Sequence, residues 1–187
     1  PAEPGALDPE TKTLKRDGKL ILDESDSYGV EMALQLVDAA GGGEVTLVSM
    51  APNSEVSGLR TALAMGAAKA VLVSDDALKG SDALGTSKVL AKAIGRAGDA
   101  DLILTATESS DGYTGVVPEQ IAAVLGLPSV TFAKSVTIDG DTVKVNDATV
   151  TTAARLGRPR AGPPPSTPPP PRTRAAGPSG APPRPTP

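Results

Sequence analysis

The chain has 187 residues, with 18 Lys and Arg against 22 Asp and Glu, and it contains no Cys, His or Trp. Without Cys there is no disulfide framework, thiolate nucleophile or cysteine metal site, and without His there is no imidazole acid or base. These absences exclude most hydrolase chemistries and favour a binding or carrier role.

Residues 1–22 are predicted to form an extended N-terminal segment. They hold few apolar residues and are punctuated by Pro4, Gly5, Pro9 and Gly18, which favour turns. The chain starts at Pro1 instead of Met, so we expect its N-terminus to be incomplete. No secretory signal or apolar run of membrane-spanning length is present, and we expect no membrane insertion.

Residues 23–147 are predicted to form one α/β domain. Apolar residues at helical spacing, each run ended by Gly, predict helices near 30–37, 56–63, 90–97 and 121–125. Short apolar runs predict strands at 45–48, 70–73 and 101–105. The Asp139-Gly140 pair predicts a β-hairpin.

This alternation predicts a doubly wound, mainly parallel sheet with helices on both faces, a Rossmann-like fold. Ligands of such sheets lie beyond the carboxyl ends of the strands, where the strand order reverses. The loops that follow Val48, Val73 and Leu104 are therefore the candidate sites.

Residues 148–187 are predicted to be a disordered Pro/Arg-rich tail. They carry six Arg and no acid, and 13 of the 19 Pro lie from Pro159 onward. A linker, a ligand for a proline-binding groove, a weak attraction to nucleic acid and a tail without specific function are all open interpretations. A shifted reading frame in a GC-rich gene fits this composition better, and we hypothesise that native coding stops near Asp147.

The loop after the third predicted strand, residues 107–115, is the strongest candidate site. It contains no Lys or Arg and leads into a helix, whose first amides suit a phosphate that Gly112 and Gly115 allow to approach closely. An ordinary polar loop before a helix is an equally good interpretation of these residues. Glu108 and Asp111 oppose an anion unless they point away or bind a ribose hydroxyl.

The remaining motifs exclude more than they indicate. No Walker A loop or GxGxxG fingerprint is present, which argues against nucleotide hydrolysis and conventional dinucleotide binding. Residues 49–52 either line an adenine pocket with soft apolar surface or form a plain turn. Asp26, Asp75 and Asp76 are predicted to be solvated charges or helix caps, so we expect no metal site and no catalytic residue.

Six segments resemble the electron transfer flavoprotein β subunit family in the same order along the chain. Residues 59–70, LRTALAMGAAKA, resemble its helix-to-strand signature. The other five lie at 7–16, 44–52, 109–112 and 125–128 and in the hairpin through Asp139-Gly140. The resemblance covers about residues 6–147.

The resemblance implies a non-enzymatic electron carrier. The family's β subunit binds AMP structurally and pairs with an α subunit that holds most of a shared FAD. The complex takes electrons from acyl-CoA and related dehydrogenases and passes them to a membrane quinone reductase. The resemblance also implies a location in the cytoplasm of a bacterium, or in the mitochondrial matrix of a eukaryote. Carried over by position, the AMP contacts would fall on Asp23, Glu24, Ser25, Asp26, Met50, Thr107, Glu108, Ser109, Ser110, Asp111, Gly112, Tyr113, Thr114, Gly115, Val116, Val117 and Pro118.

The sequence departs from the family at both ends. Family members open with a strand and a Lys-x-Val-Pro-Asp turn and continue with further strands beyond the hairpin, so we expect that this chain as written cannot complete electron transfer.

Residues 1–147 carry 22 acids and 12 bases, a net charge that repels nucleic acid. The alternative function is a free-standing adenine-nucleotide-binding module that resembles universal stress proteins.

Overall fold

The structure is a computed structural model that describes residues 2, 6–16, 19–140 and 142–154. Helices alternate with strands along the described chain. In chain order they are α1 Glu24–Ala39, β1 Thr46–Met50, α2 Ser57–Ala64, β2 Lys69–Val73, α3 Ala83–Ala97, β3 Ile103–Ala106, α4 Val117–Leu125, β4 Ser129–Asp139 and β5 Thr142–Ala154. The mixed α/β class predicted from the sequence is confirmed.

Aspartate side chains cap the first turns of α1 and α3, and a glycine ends α4. Asp23 caps α1 by accepting a hydrogen bond from the Ser25 amide at 2.9 Å, and Asp82 caps α3 through the Gly85 amide at 2.7 Å. Such caps satisfy amides that have no partner within the helix. Gly126 ends α4 in the left-handed conformation, with φ +68°, which glycine adopts without the steric cost of a Cβ atom.

Strands β1 and β2 form a parallel pair joined through α2. Their register runs from Thr46 opposite Lys69 to Met50 opposite Val73. A parallel pair needs such a crossover connection, because a tight turn joins only antiparallel strands. This unit matches the strand-helix-strand alternation predicted from the sequence.

The other three strands form an antiparallel sheet in the order β3-β5-β4. The predicted hairpin is confirmed, with Asp139 opposite Thr142 at its turn. Strand β3 lies antiparallel to β5, with Ile103 opposite Ala154, so this sheet does not confirm the doubly wound, mainly parallel arrangement that the sequence predicts. Strand β5 is the central strand of this sheet: β4 pairs with one edge of it from Thr142 to Ala154, and β3 pairs with the other edge at residues 151–154.

The structure leaves the domain boundaries as predictions. Strand β5 continues to Ala154, beyond the predicted domain end at residue 147. From residue 155 onward the predicted tail lies outside the described residues. Within the part of the chain that is described, no helix is both long enough and apolar enough to cross a bilayer.

The core consists largely of small side chains. Leu36 of α1 packs with Ala133 and Val136 of β4, which seats α1 against the antiparallel sheet. Between α3 and α4, Ser87 is fully buried and its hydroxyl lies 2.7 Å from the Ala83 carbonyl oxygen and 2.9 Å from Gln120 Oε1. Buried hydroxyls require such partners, and this one fixes the position of α4.

We predict that two glycine-to-alanine substitutions change the free energy of unfolding in opposite directions, although both glycines have open space around them. A Cβ atom at Gly126 or at Gly95 would have no heavy atom within 4 Å. Gly126→Ala should lower the free energy of unfolding by about 1 kcal/mol, since a left-handed residue then carries a Cβ. Gly95→Ala, in the last turn of α3, should raise it by about 0.5 kcal/mol. Urea denaturation of both variants measures this, and changes of the same sign would contradict the assignment of Gly126 as a left-handed cap.

Candidate functional site

Asp23 joins the start of α1 to the loop between β3 and α4, residues 107–116, called the β3–α4 loop below. Its Oδ1 accepts the capping hydrogen bond from the Ser25 amide at 2.9 Å. Its Oδ2 accepts a hydrogen bond from the Ser110 amide at 3.3 Å. One carboxylate therefore brings together two segments that are 87 residues apart in the sequence.

A cavity of about 350 Å³ opens at this junction. It is called the Asp23 cavity below, and it is lined by Ile21, Leu22, Asp23, Glu24, Ser25 and Ser110. Its volume lies at the lower end of the range of about 300–1,000 Å³ that small-molecule sites occupy. The lining combines two aliphatic side chains with carboxylates and hydroxyls, which suits a ligand that has both an apolar ring and polar groups.

The Asp23 carboxylate is stabilised in its ionised form. Partial burial is the largest single influence and acts to raise its pKa, but hydrogen bonds from Ser110 and Ser25 together outweigh it and lower the pKa below the usual value. Hydrogen bonds to a charged form favour that form. Asp23 is therefore a hydrogen-bond acceptor at neutral pH.

The β3–α4 loop folds back on itself through Ser109. The Ser109 hydroxyl accepts a hydrogen bond from the Gly112 amide at 3.2 Å, and its carbonyl accepts one from the Tyr113 amide at 3.0 Å. A Cβ atom at Gly112 would lie 2.9 Å from the Ser109 hydroxyl. The close approach of these two residues explains the need for glycine at position 112.

Gly115 places the backbone of the loop in the left-handed region. Its φ is +61°, and a Cβ atom there would lie 3.3 Å from Glu108 Oε2. The Glu108 carboxylate thus lies across the second glycine of the loop. An anion at the start of α4 would meet this negative charge, whereas a hydroxyl group could donate a hydrogen bond to it.

Arg16 contacts the loop from the N-terminal segment. Its Nε lies 2.7 Å from Asp111 Oδ2, and the side chain of Asp111 is only 14% exposed. Partial burial is the largest influence on Asp111 and acts to raise its pKa, but the hydrogen bond and charge of Arg16 hold that pKa below its usual value. The negative charge of Asp111 is therefore paired with the positive charge of Arg16.

The start of α4 keeps few amide donors. Val116 occupies the capping position without a side-chain hydrogen bond, and Pro118 lies in the first turn, where it contributes no N–H. Glu119 follows in the same turn, and its Oε2 is buried with no hydrogen-bond partner among the described residues. A buried polar atom of this kind requires a partner.

Some of the predicted site residues line the Asp23 cavity and others do not. Asp23, Glu24, Ser25 and Ser110 line the Asp23 cavity, with the rest of the β3–α4 loop adjoining it in sequence. Met50 ends β1 half-buried and is not among the residues that line this cavity. Tyr113 is 68% exposed, so its side chain points largely to solvent.

Sequence reasoning missed Arg16, Ile21 and Leu22 as site residues. Ile21 and Leu22 line the cavity, and Arg16 holds the loop through its ion pair. All three belong to the segment predicted only to be extended, in which no periodicity relates side chains to a site. Glu119 lies one residue beyond the predicted site, which ends at Pro118. Its place in the first turn of the helix is the sequence signal that could have identified it.

Asp26 lies in the first turn of α1, which Asp23 caps. Loss of hydration raises its pKa to about 6, and the nearby Asp23 charge adds to the shift. The residue as a whole remains exposed at the helix surface. Within the described residues, no three acidic side chains are grouped so that they could hold a metal ion.

Comparison with known proteins gives consistent matches. The electron transfer flavoprotein domain model matches residues 11–158. The chain is 40% identical over 143 residues to the electron transfer flavoprotein subunit beta of Thermoanaerobacterium thermosaccharolyticum, which covers 76% of this chain and 54% of that protein. It is 41% identical over 133 residues to the protein of the same name from Mycobacterium tuberculosis, which covers 68% and 50%.

A further relative carries a different name. The chain is 39% identical over 134 residues to the caffeyl-CoA reductase-Etf complex subunit CarD of Acetobacterium woodii, which covers 71% of this chain and 51% of that protein. The chain therefore spans about half the length of the curated relatives it matches.

We predict that Asp26 makes stability fall as the pH rises from about 4 to about 6. Its pKa is about 6 in the folded protein and near 3.8 when unperturbed, so in this window the folded state holds a proton that the unfolded state has lost. The stabilisation is complete below the lower value and is lost as the pH passes the upper one. Asp26→Asn should flatten the dependence in this window, measured by urea denaturation at several pH values. Equal slopes for the two proteins between pH 4 and 6 would contradict the prediction.

Proposed function

We propose a function from one premise: the chain belongs to the electron transfer flavoprotein domain family, as its resemblance to the β subunit predicted. In this proposal the protein is a β-type subunit, a non-enzymatic electron carrier that binds AMP structurally. The fold is proposed to be part of a doubly wound, Rossmann-like layer, to which β1, α2 and β2 contribute the parallel unit.

The contact between Asp23 and Ser110 is the observation that carries the AMP site. It joins the two segments for which the family resemblance implied AMP contacts, and the Asp23 cavity lies where they meet. A volume of about 350 Å³ is adequate for a mononucleotide. Aliphatic Ile21 and Leu22 offer a surface for adenine.

The distribution of charge supports one orientation of the nucleotide. Asp23 and Glu24 line the cavity as carboxylates, which accept hydrogen bonds from hydroxyls and repel phosphate. The ribose would therefore lie toward these residues. The phosphate would lie toward the β3–α4 loop, where the few amides that residues 114–117 keep for a ligand would be its donors and where the Asp111 charge is paired with Arg16.

The remaining roles concern the whole protein and are proposed from the family alone. A β-type subunit would pair with an α-type subunit, and FAD shared between them and held mostly by α would carry the electrons. Acyl-CoA and related dehydrogenases would be the donors and a membrane quinone reductase the acceptor. A relative named as a subunit of a caffeyl-CoA reductase-Etf complex supports an acyl-CoA class of partner. The location would be the cytoplasm of a bacterium, or the mitochondrial matrix in a eukaryote.

Co-expression of the full chain with an α-type subunit tests this function. We expect co-purification of the two chains, a yellow flavin absorbance and about one AMP per complex after denaturation and chromatography. A colourless chain that retains adenine nucleotide but does not bind the α-type subunit would instead favour a free-standing nucleotide-binding module like the universal stress proteins.

Two glycine variants make the same experiment specific to the loop. Gly115→Val should lose most of the AMP, since a side chain at this left-handed position also meets Glu108. Gly140→Val in the hairpin carries comparable backbone strain at φ +56° with open space around it, and it should retain AMP. Equal AMP content in the two variants would contradict the loop assignment.

A further inference from the structure

Arg16 is held in place by a short turn that precedes it. The Asp8 side chain accepts hydrogen bonds from the amides of Glu10 and Thr11, each at 2.9 Å. Leu7 pairs with Leu14 in an antiparallel bridge, and the Lys15 amide donates to the Ala6 carbonyl at 2.8 Å. These bonds order the backbone up to the residue before Arg16.

The Arg16 side chain then reaches a loop that is 95 residues away in sequence. Its Nε donates to Asp111 Oδ2 at 2.7 Å. Among the ion pairs between described residues, this is the one that contacts the β3–α4 loop. It is also better shielded on the acidic side than the other two, since the Asp111 side chain is 14% exposed and those of Glu44 and Asp139 are 52% and 69% exposed.

The pair has a specific electrostatic consequence for the site. Asp23 and Glu24 line the cavity, Glu108 lies across Gly115, and Glu119 lies in the first turn of α4. A phosphate near the loop is therefore surrounded by negative charge. An Asp111 carboxylate without a cation beside it would add to this repulsion, since it lies in the loop itself. A like charge so close raises the pKa of a neighbouring acid by about one unit or more.

We propose that Arg16 is a positioning residue for the nucleotide. It turns the Asp111 carboxylate toward itself and compensates its charge, so that the β3–α4 loop can accept a phosphate. This inference rests on the AMP site proposed above, and it adds a residue from the N-terminal segment to that site. A purely mechanical clasp of the loop would be a different role, because it would support every part of the ligand equally.

The test compares AMP with adenosine, which lacks the phosphate, by calorimetric titration of the full chain. Arg16→Gln should weaken AMP binding about tenfold and leave adenosine binding unchanged. Lys15→Gln removes the same charge from the neighbouring, exposed residue and should leave both affinities unchanged. Equal losses for AMP and adenosine in Arg16→Gln would overturn the proposal in favour of a mechanical clasp.

A second substitution separates charge from structure. Asp111→Asn added to Arg16→Gln removes the uncompensated carboxylate, so AMP binding should return to within about threefold of the wild-type value. Failure of this rescue would overturn the proposal. Arg16→Lys keeps the positive charge, so its affinity for AMP should remain close to that of the wild type. This variant provides the comparison if Arg16→Gln does not fold.

The outcomes also separate this inference from the proposed function. A wild-type chain that binds neither AMP nor inorganic phosphate would overturn the nucleotide site itself. A wild-type chain that binds AMP as tightly as Arg16→Gln does would leave the site standing and remove only the role of Arg16.

Discussion

The carboxylate of Asp23 is the contact on which the site depends. One oxygen satisfies an amide at the start of α1 and the other accepts the Ser110 amide. Helix capping is a local interaction that the first residues of any helix require. Here the same side chain also fixes a loop from far along the chain, so the requirement that starts the helix also defines one wall of the Asp23 cavity.

Two further contacts hold the β3–α4 loop and the helix that follows it. Ser87, fully buried in α3, bonds to Gln120 and so sets the position of α4, while Arg16 holds Asp111 in the loop before it. The loop between them keeps its shape through Ser109 and two glycines. Of its carboxylates, Asp111 is paired with Arg16 and Glu108 lies across Gly115.

Local patterns predicted much of this structure, and long-range pairing was the part that they could not predict. Helices α1 and α3 were predicted from apolar residues at helical spacing, and the hairpin was predicted from Asp139-Gly140, because these signals act within a few residues. The antiparallel pairing of β3 with β5 depends on contacts about 50 residues apart, which strand periodicity does not encode. In the same way the β3–α4 loop was predicted as a site, whereas Arg16 lies in a segment without periodicity and could be assigned only from the ion pair.

A nitrogen-15 NMR titration of the full chain with AMP would locate the nucleotide site. We expect amide shifts to concentrate in residues 21–26 and in 109–117, the two segments that Asp23 joins, and the β4–β5 hairpin to be unaffected. Shifts confined to one of the two segments, or centred on the hairpin, would contradict a nucleotide site at the Asp23 cavity.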